Sequence, residues 1–405
     1  MMKTKFFLII GLLGLVLASC ESDDTADIII EDNRVDNSVT NNNNGGTDTT
    51  DDGTTGAVVN LSGVYTEDLT LDCDTEYRVT GPVLIADGVT FTICAGTTIE
   101  VAPVGVNAYI AILQGGMIMA DGTADAPIVF TSNSSTPGSG DWGGIVICGR
   151  APINSTPDGS EDTSTTEVGG LSYGGNTPGD NSGVLRYVRV EYAGGAIDGN
   201  SELNGVSLYA VGSGTTMDFV QVYIGSDDGF EFFGGTVNAS HLAVVGSEDD
   251  SIDWTEGFTG SLTDVYVKHL ADHDKAFECD GYNTDFSNEG GYFSAPDVTN
   301  VTIDGDAGTL GEAVRLRAGT QGIFTNWVIN DFDEGFDLDG DDADNPTGQG
   351  VLDGTLAAMD VTFNNVGLKI KNDTGFAWDD ADFLTGDGNG TGTDFATWGA
   401  GWARD

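Results

Sequence analysis

Basic residues are scarce in this chain. Lysine and arginine together number 14 in 405 residues, against 65 aspartates and glutamates, for a formal charge of −51. A surface of that sign repels nucleic acid and anionic lipid headgroups, which excludes nucleic acid as a partner. It attracts divalent cations or a basic partner, although solubility alone also favours it. Histidine is rarer still, at three residues. His269 and His273 stand four apart, a ligand spacing on a helix, but their stretch has no helical pattern and reads as a loop. The chain lacks a phosphate-binding loop, a Cys-x-x-Cys motif, an EF-hand loop and any Ser/His/Asp arrangement. No stretch has the periodicity of an amphipathic helix.

Glycine, by contrast, is abundant at 60 residues, about twice the usual share, which suits many tight turns between short strands. One phrase recurs: Ser226-Asp227-Asp228-Gly229-Phe230-Glu231-Phe232, Glu248-Asp249-Asp250-Ser251-Ile252-Asp253-Trp254, and His273-Asp274-Lys275-Ala276-Phe277-Glu278-Cys279. An acidic pair precedes a small residue; apolar residues then alternate with a charge. That alternation describes a strand with one buried face. The small residues Gly229, Ser251 and Ala276 recur every 22 to 25 positions, the period of a solenoid. Weaker copies begin at Gly143, Asn204, Gly311, Asp333 and Val366, and second strands such as Phe219–Ile224 and Val265–Lys268 lie between. The expected fold is therefore all-β, a right-handed parallel β-helix with coils of about 21–25 residues. Residues 154–183, 282–296 and 340–356 read as loops leaving the coils. Trp378, Trp398 and Trp402 fall where the repeat ends, and are expected to cap the last coil, within about 375–405. A glycan-stacking surface is the alternative for them.

The N-terminus reads as an address. Lys3 and Lys5 precede an apolar run, Phe6 to Leu17, too short to span a membrane comfortably. Leu17-Ala18-Ser19-Cys20 resembles a bacterial lipobox, which implies a signal peptide over 1–19 and lipidation of Cys20. Glu21-Ser22-Asp23-Asp24 resembles the acidic export signal of lipoproteins displayed on the outer membrane of Bacteroidota. Residues 20–57 are Asp-, Asn-, Thr- and Gly-rich and read as a tether for a domain over 58–405. Cys73 and Cys94 end equivalent strands 21 residues apart; stacked coils bring such positions to about 4.8 Å, so a disulfide is expected. Cys148 and Cys279 lie too many coils apart to pair with each other.

Gly122-Thr123-Ala124-Asp125-Ala126-Pro127-Ile128-Val129-Phe130-Thr131-Ser132, with Gly140-Asp141-Trp142-Gly143-Gly144 and the run through Asn154, resembles a family of Bacteroidota surface lipoproteins built on a right-handed parallel β-helix. The resemblance implies fold and a lipid-anchored place on the outer membrane, facing the exterior. It implies no activity. An outer-membrane receptor is a partner expected from that family type.

In register, the phrase puts Phe230, Ile252, Phe277, Val314, Phe336 and Leu368 in one inward row. Phe232, Trp254, Cys279, Leu316, Leu338 and Ile370 form a second. The outward row is Glu231, Asp253, Glu278, Arg315, Asp337 and Lys369. Like charges about 4.8 Å apart repel by roughly 0.9 kcal/mol in water and about 3.5 kcal/mol at an effective dielectric of 20. Asp227, Asp228, Glu231, Asp249, Asp250, Asp253, Asp274 and Glu278 thus form a candidate metal cluster. Its oxygen donors suit Ca²⁺, and a solvated acidic face is the plain alternative. The leading expectation is a non-catalytic module holding a glycan, a cation or a partner protein at the cell surface. A Ca²⁺-dependent polysaccharide lyase or a glycoside hydrolase of the β-helix type is the alternative. A lyase needs a free base facing the acids, for which Lys275, Arg315 and Arg317 are nearest. A polygalacturonase-like hydrolase would be expected to carry Gly-His-Gly and Arg-x-Lys, and neither occurs.

Overall fold

A computed structural model describes residues 58–156, 162–198, 201–288, 290–306, 311–340 and 346–405. The signal segment, Cys20 and the tether lie outside the described residues. Twenty-four strands join in one continuous sheet that winds as a right-handed parallel β-helix. The turns formed by Thr90–Ile93, Thr98–Val101 and Ile110–Ile112 and by Met117–Asp121, Ile128–Ser132 and Ile145–Cys148 each hold three separate strands. Leu69–Leu71 stacks on Thr90–Ile93 and then Met117–Asp121. Tyr77–Ile85 feeds both Thr98–Val101 and Ile110–Ile112, which continue into Ile128–Ser132 and Ile145–Cys148. From Gly183–Glu191 onward two of these columns run together as one long bent strand.

The bend is made by one left-handed residue per coil: Tyr187, Phe219, His241, Asp264, Asn300, Asn326 and Asp360, with φ between 49° and 63°. Asn and Asp tolerate that conformation. Tyr187, Phe219 and His241 gain instead from stacking, with ring centroids 4.4 and 3.9 Å apart.

The inward rows are as the repeat predicts through Phe336 and Leu338, and all are fully buried. The last coil corrects the expected register. Phe336 pairs with Ile370 and Asp337 with Lys371, whereas Leu368 pairs with Glu334 and is 46% exposed. A slip of two residues keeps every side chain on its proper face, so apolar alternation cannot distinguish the two registers. The one adopted sets Lys371 among Asp337, Glu334 and Asp373 at 2.9, 3.3 and 3.3 Å. Lys369 pairs with Asp387 instead.

Cys73 and Cys94 form the expected disulfide, with Cα atoms 5.3 Å apart, while Cys148 and Cys279 are buried free thiols. The insertions at 282–296 and 340–356 fall between Ser261 and its partner Asp297, and between Gly322 and its partner Leu356. The second contains the helix Thr347–Asp353. Residues 154–183 are more than a loop. Thr163–Thr165 and Ser172–Gly174 pair as an antiparallel hairpin. Val168 and Tyr173 from this arm pack on Tyr109, Val146, Tyr209 and Phe233, which point outward from the coils and would otherwise be wet.

The tryptophans divide. Trp378 packs on Phe383, and the Phe383 ring lies 5.3 Å from Phe336, closing the last coil. Trp398 and Trp402 do not cap that end. The chain runs back along the flank of the solenoid as a strap, so that Trp402 meets Tyr187 and Phe219, Trp398 meets His241, and Phe395 stacks on Tyr266 at 4.1 Å. Gln221 exchanges two hydrogen bonds with the backbone of Arg404, at 2.6 and 2.7 Å. The bend residues leave an aromatic row on the surface, and burying it explains why these tryptophans lie along the side. Trp402 is itself buried and presents no stacking surface to a glycan. No helix of the described residues is long and apolar enough to cross a membrane.

Candidate functional site

The acidic pairs occupy the turn that enters each short strand. Register fixes their stacking: Phe230–Phe233, Ile252–Thr255 and Phe277–Asp280 lie side by side, with Glu231, Asp253 and Glu278 in one outward row. The turns stack through backbone as well. Gly229 N–H donates to Asp250 O and Ser251 N–H to Lys275 O. Two side chains continue that ladder, since Asp228 Oδ1 accepts from Asp250 N–H at 3.0 Å and Asp250 Oδ1 from Lys275 N–H at 2.7 Å. Asp228 and Asp250 therefore carry structure as well as charge.

All eight carboxylates expected to cluster do so, lining one cleft of about 330 Å³. Four further residues line it. Glu167 comes from the arm and Glu202 from the short strand Ser201–Glu202; nothing periodic in the sequence marks either. Asn204 holds the place in its coil that Asp228 holds in the next, and donates to Glu231 Oε2 at 2.6 Å. Among the described residues Lys275 is the only cationic one in the lining, facing ten carboxylates. Three oxygens approach within 4.8 Å of one another in several combinations: Glu202, Asp227 and Asp249; Asp228, Glu231 and Asp253; Asp250, Asp253 and Glu278. Their donor set is all oxygen, the set a hard cation takes.

Burial and mutual repulsion raise the proton affinity of these acids. Asp227, 8% exposed, is pushed up to about 7, by desolvation first and then by Glu202 and Asp249. Asp228, Glu231, Asp250 and Asp253 are likewise raised well above the usual carboxylate range, again chiefly by burial. Asp249, exposed at the mouth, is raised by desolvation and by Asp274, and drawn back by Lys275. Behind the wall, Glu256 is buried with Tyr173 donating to it at 2.9 Å, and burial pushes it to about 7.

The bases are occupied. Lys275 Nζ lies 2.7 Å from Asp274, 3.1 Å from Glu278 and 3.7 Å from Asp250, and these partners outweigh burial to raise its pKa. Arg317 binds Glu278 at 2.7 Å and Asp280 at 2.5 Å, and Arg315 grips Asp339 through two nitrogens. A base held protonated in this way cannot take a proton from a sugar ring carbon. His269 and His273 are brought together, with rings stacked at 4.0 Å, but they lie outside the cleft lining.

A family model of pectate-lyase-like β-helix domains matches residues 63–403. The chain belongs to that family. No curated protein matches its sequence. Among solved structures, the catalytic unit of a thermostable GH87 alpha-1,3-glucanase from Streptomyces thermodiastaticus strain HF3-3 is 13% identical with a TM-score of 0.38, over 83% of this chain and 65% of that one. A GH87 alpha-1,3-glucanase catalytic domain in complex with nigerose is 9% identical with a TM-score of 0.34, over 82% and 64%. The chain spans less than two thirds of the length of either, and likeness at this level carries nothing about chemistry.

Proposed function

We propose that the cleft performs acid–base chemistry on a glycan, as a glycoside hydrolase does, in place of the non-catalytic role the sequence first suggests. One observation carries the reading. Asp227 is nine-tenths buried, its carboxyl is pushed up to about 7 by that burial and by the neighbouring acids, and it has an oxygen within 4.8 Å of one on Asp249. Glycosidases pair a proton-donating acid with a second carboxylate beside it. In this reading Asp227 protonates the leaving oxygen as the glycosidic C–O bond breaks and Asp249, at the mouth, bonds to the anomeric carbon; a water that gives its proton back to Asp227 then displaces Asp249 and releases the sugar. The occupied bases weigh against the lyase half of the alternative. Ten carboxylates against one ammonium also disfavour a polyuronate, so the substrate class is a neutral or amino-bearing glycan. The proposed setting is the outer face of the outer membrane, with the domain anchored through lipidated Cys20.

The test is release of reducing ends from a panel of neutral and amino glycans, with uronate polymers as controls. Asp227→Asn is expected to lower kcat by about 10²–10⁴-fold. An inactive wild type across the panel, or an Asp227→Asn variant as active as wild type, would overturn the reading. The close carboxylate trios favour a second one, in which the cleft holds Ca²⁺. An inactive protein that takes up Ca²⁺ at Asp228, Glu231 and Asp253 would establish it.

A further inference from the structure

In the two coils that follow the cleft a second group of acids meets on the same face. Glu312 and Glu334 open the strands Glu312–Arg317 and Glu334–Asp339 and are paired in register. One oxygen from each of Glu312, Glu334 and Asp337 lies within 4.8 Å of the other two. Arg315 reaches Glu312 at 3.6 Å but is committed to Asp339 at 2.6 Å. Lys371 contacts Asp337, Glu334 and Asp373. Five carboxylates against two cations leave three negative charges.

Asp337 is the second and independent observation. It is 3% exposed, and while its Oδ2 accepts from Lys371 at 2.9 Å, its Oδ1 has no hydrogen-bond partner. Glu334 Oε2 is also buried, and the Lys371 ammonium at 3.3 Å is its partner. A buried polar atom left unpaired costs about 1–3 kcal/mol, more when charged, and calls for a water or an ion.

We propose that Glu312, Glu334 and Asp337 bind a divalent cation of the calcium type. The donors are all oxygen, which suits Ca²⁺ and disfavours zinc or copper. Two oxygens bound to one Ca²⁺ at about 2.4 Å lie no more than about 4.8 Å apart, a limit this trio meets. The cation bridges successive coils, because Glu312 and Glu334 come from neighbouring strands. It answers the charge that Arg315 and Lys371 leave, and it gives the open oxygen of Asp337 a partner. The site shares no residue with the cleft and does not rest on the hydrolase reading.

The experiment uses the full chain, stripped with EDTA and titrated with Ca²⁺ alone by calorimetry, alongside thermal unfolding. The Glu312→Gln/Glu334→Gln double variant is expected to lose one equivalent of Ca²⁺ and the Ca²⁺-dependent rise in Tm. Glu312→Gln alone, at a partly exposed residue, is expected to weaken that equivalent at least tenfold, and it decides the matter if the double variant does not fold. Asp228→Asn/Asp253→Asn, in the cleft, is expected to leave it intact. Wild-type protein that takes up no Ca²⁺ at millimolar concentration overturns the proposal. So does a folded Glu312→Gln variant with unchanged stoichiometry and Kd.

Discussion

The backbone N–H of Lys275 donates to Asp250 Oδ1 at 2.7 Å, while the Lys275 ammonium stands 3.7 Å from the same oxygen. One carboxylate oxygen thus anchors a turn and faces a buried charge. Among the described residues that ammonium is the only cationic group lining the cleft, so its removal tests how far the acid wall depends on it.

Lys275→Met keeps most of the side-chain volume and deletes the charge. Losing one partner of a buried ion pair typically costs about 3–5 kcal/mol. A loss of about 3 kcal/mol is expected at pH 8, shrinking as the pH falls to 5 and the orphaned acids take up protons. Urea unfolding at the two pH values measures it. A loss independent of pH would mean that packing, rather than charge, is the cause.

The pH profile has two opposed arms. His269 is 3% exposed with both ring nitrogens unpartnered, and burial pulls its pKa down to about 3. The unfolded chain protonates this residue near 6.5, so His269 costs stability as pH falls from about 6.5 toward 3. Asp227 and Glu256, raised to about 7, do the reverse. They favour the folded state at low pH, and that contribution is lost as pH rises from about 4 through 7. His269→Phe should flatten the acid arm, and Glu256→Gln the neutral one, in Tm measured from pH 4 to 8. An unchanged acid slope in His269→Phe refutes the assignment of that arm.

The strap gives a third expectation. Trp402 is buried against Tyr187 and Phe219, and its carbonyl accepts from Arg189 at 2.5 Å. Trp402→Ala should cost about 3–5 kcal/mol in the docking of the strap. Hydrogen exchange should then quicken at Thr397, Trp398, Gly399 and Ala403, while Phe230–Phe233 stays protected. Equal quickening in both would show that the strap and coils open as one unit.

Much of the site was legible because a repeat of 22 to 25 residues is also a stacking rule. Once Gly229, Ser251 and Ala276 are aligned, Asp227, Asp249 and Asp274 must share a column, and Glu231, Asp253 and Glu278 another. Glu167 and Glu202 were not legible. They reach the cleft from segments outside the repeat, where no periodicity relates sequence position to space. The register of the last coil failed for a different reason. Leu368 and Ile370 are both apolar and two apart, so either satisfies the pleat, and the charges around Lys371 favour Ile370.

The sequence by itself determined the coil, its inward rows, the Cys73–Cys94 bridge and the gathering of eight acids, because each follows from strand alternation repeated at one period. Tertiary structure alone decided what surrounds them. It placed the arm over Tyr209 and Phe233, turned Trp398 and Trp402 from an end cap into a lateral strap, and occupied Lys275 with three carboxylates. Those outcomes depend on contacts between residues far apart in the chain, such as Arg189 with Trp402 and Tyr173 with Glu256, which no local pattern encodes.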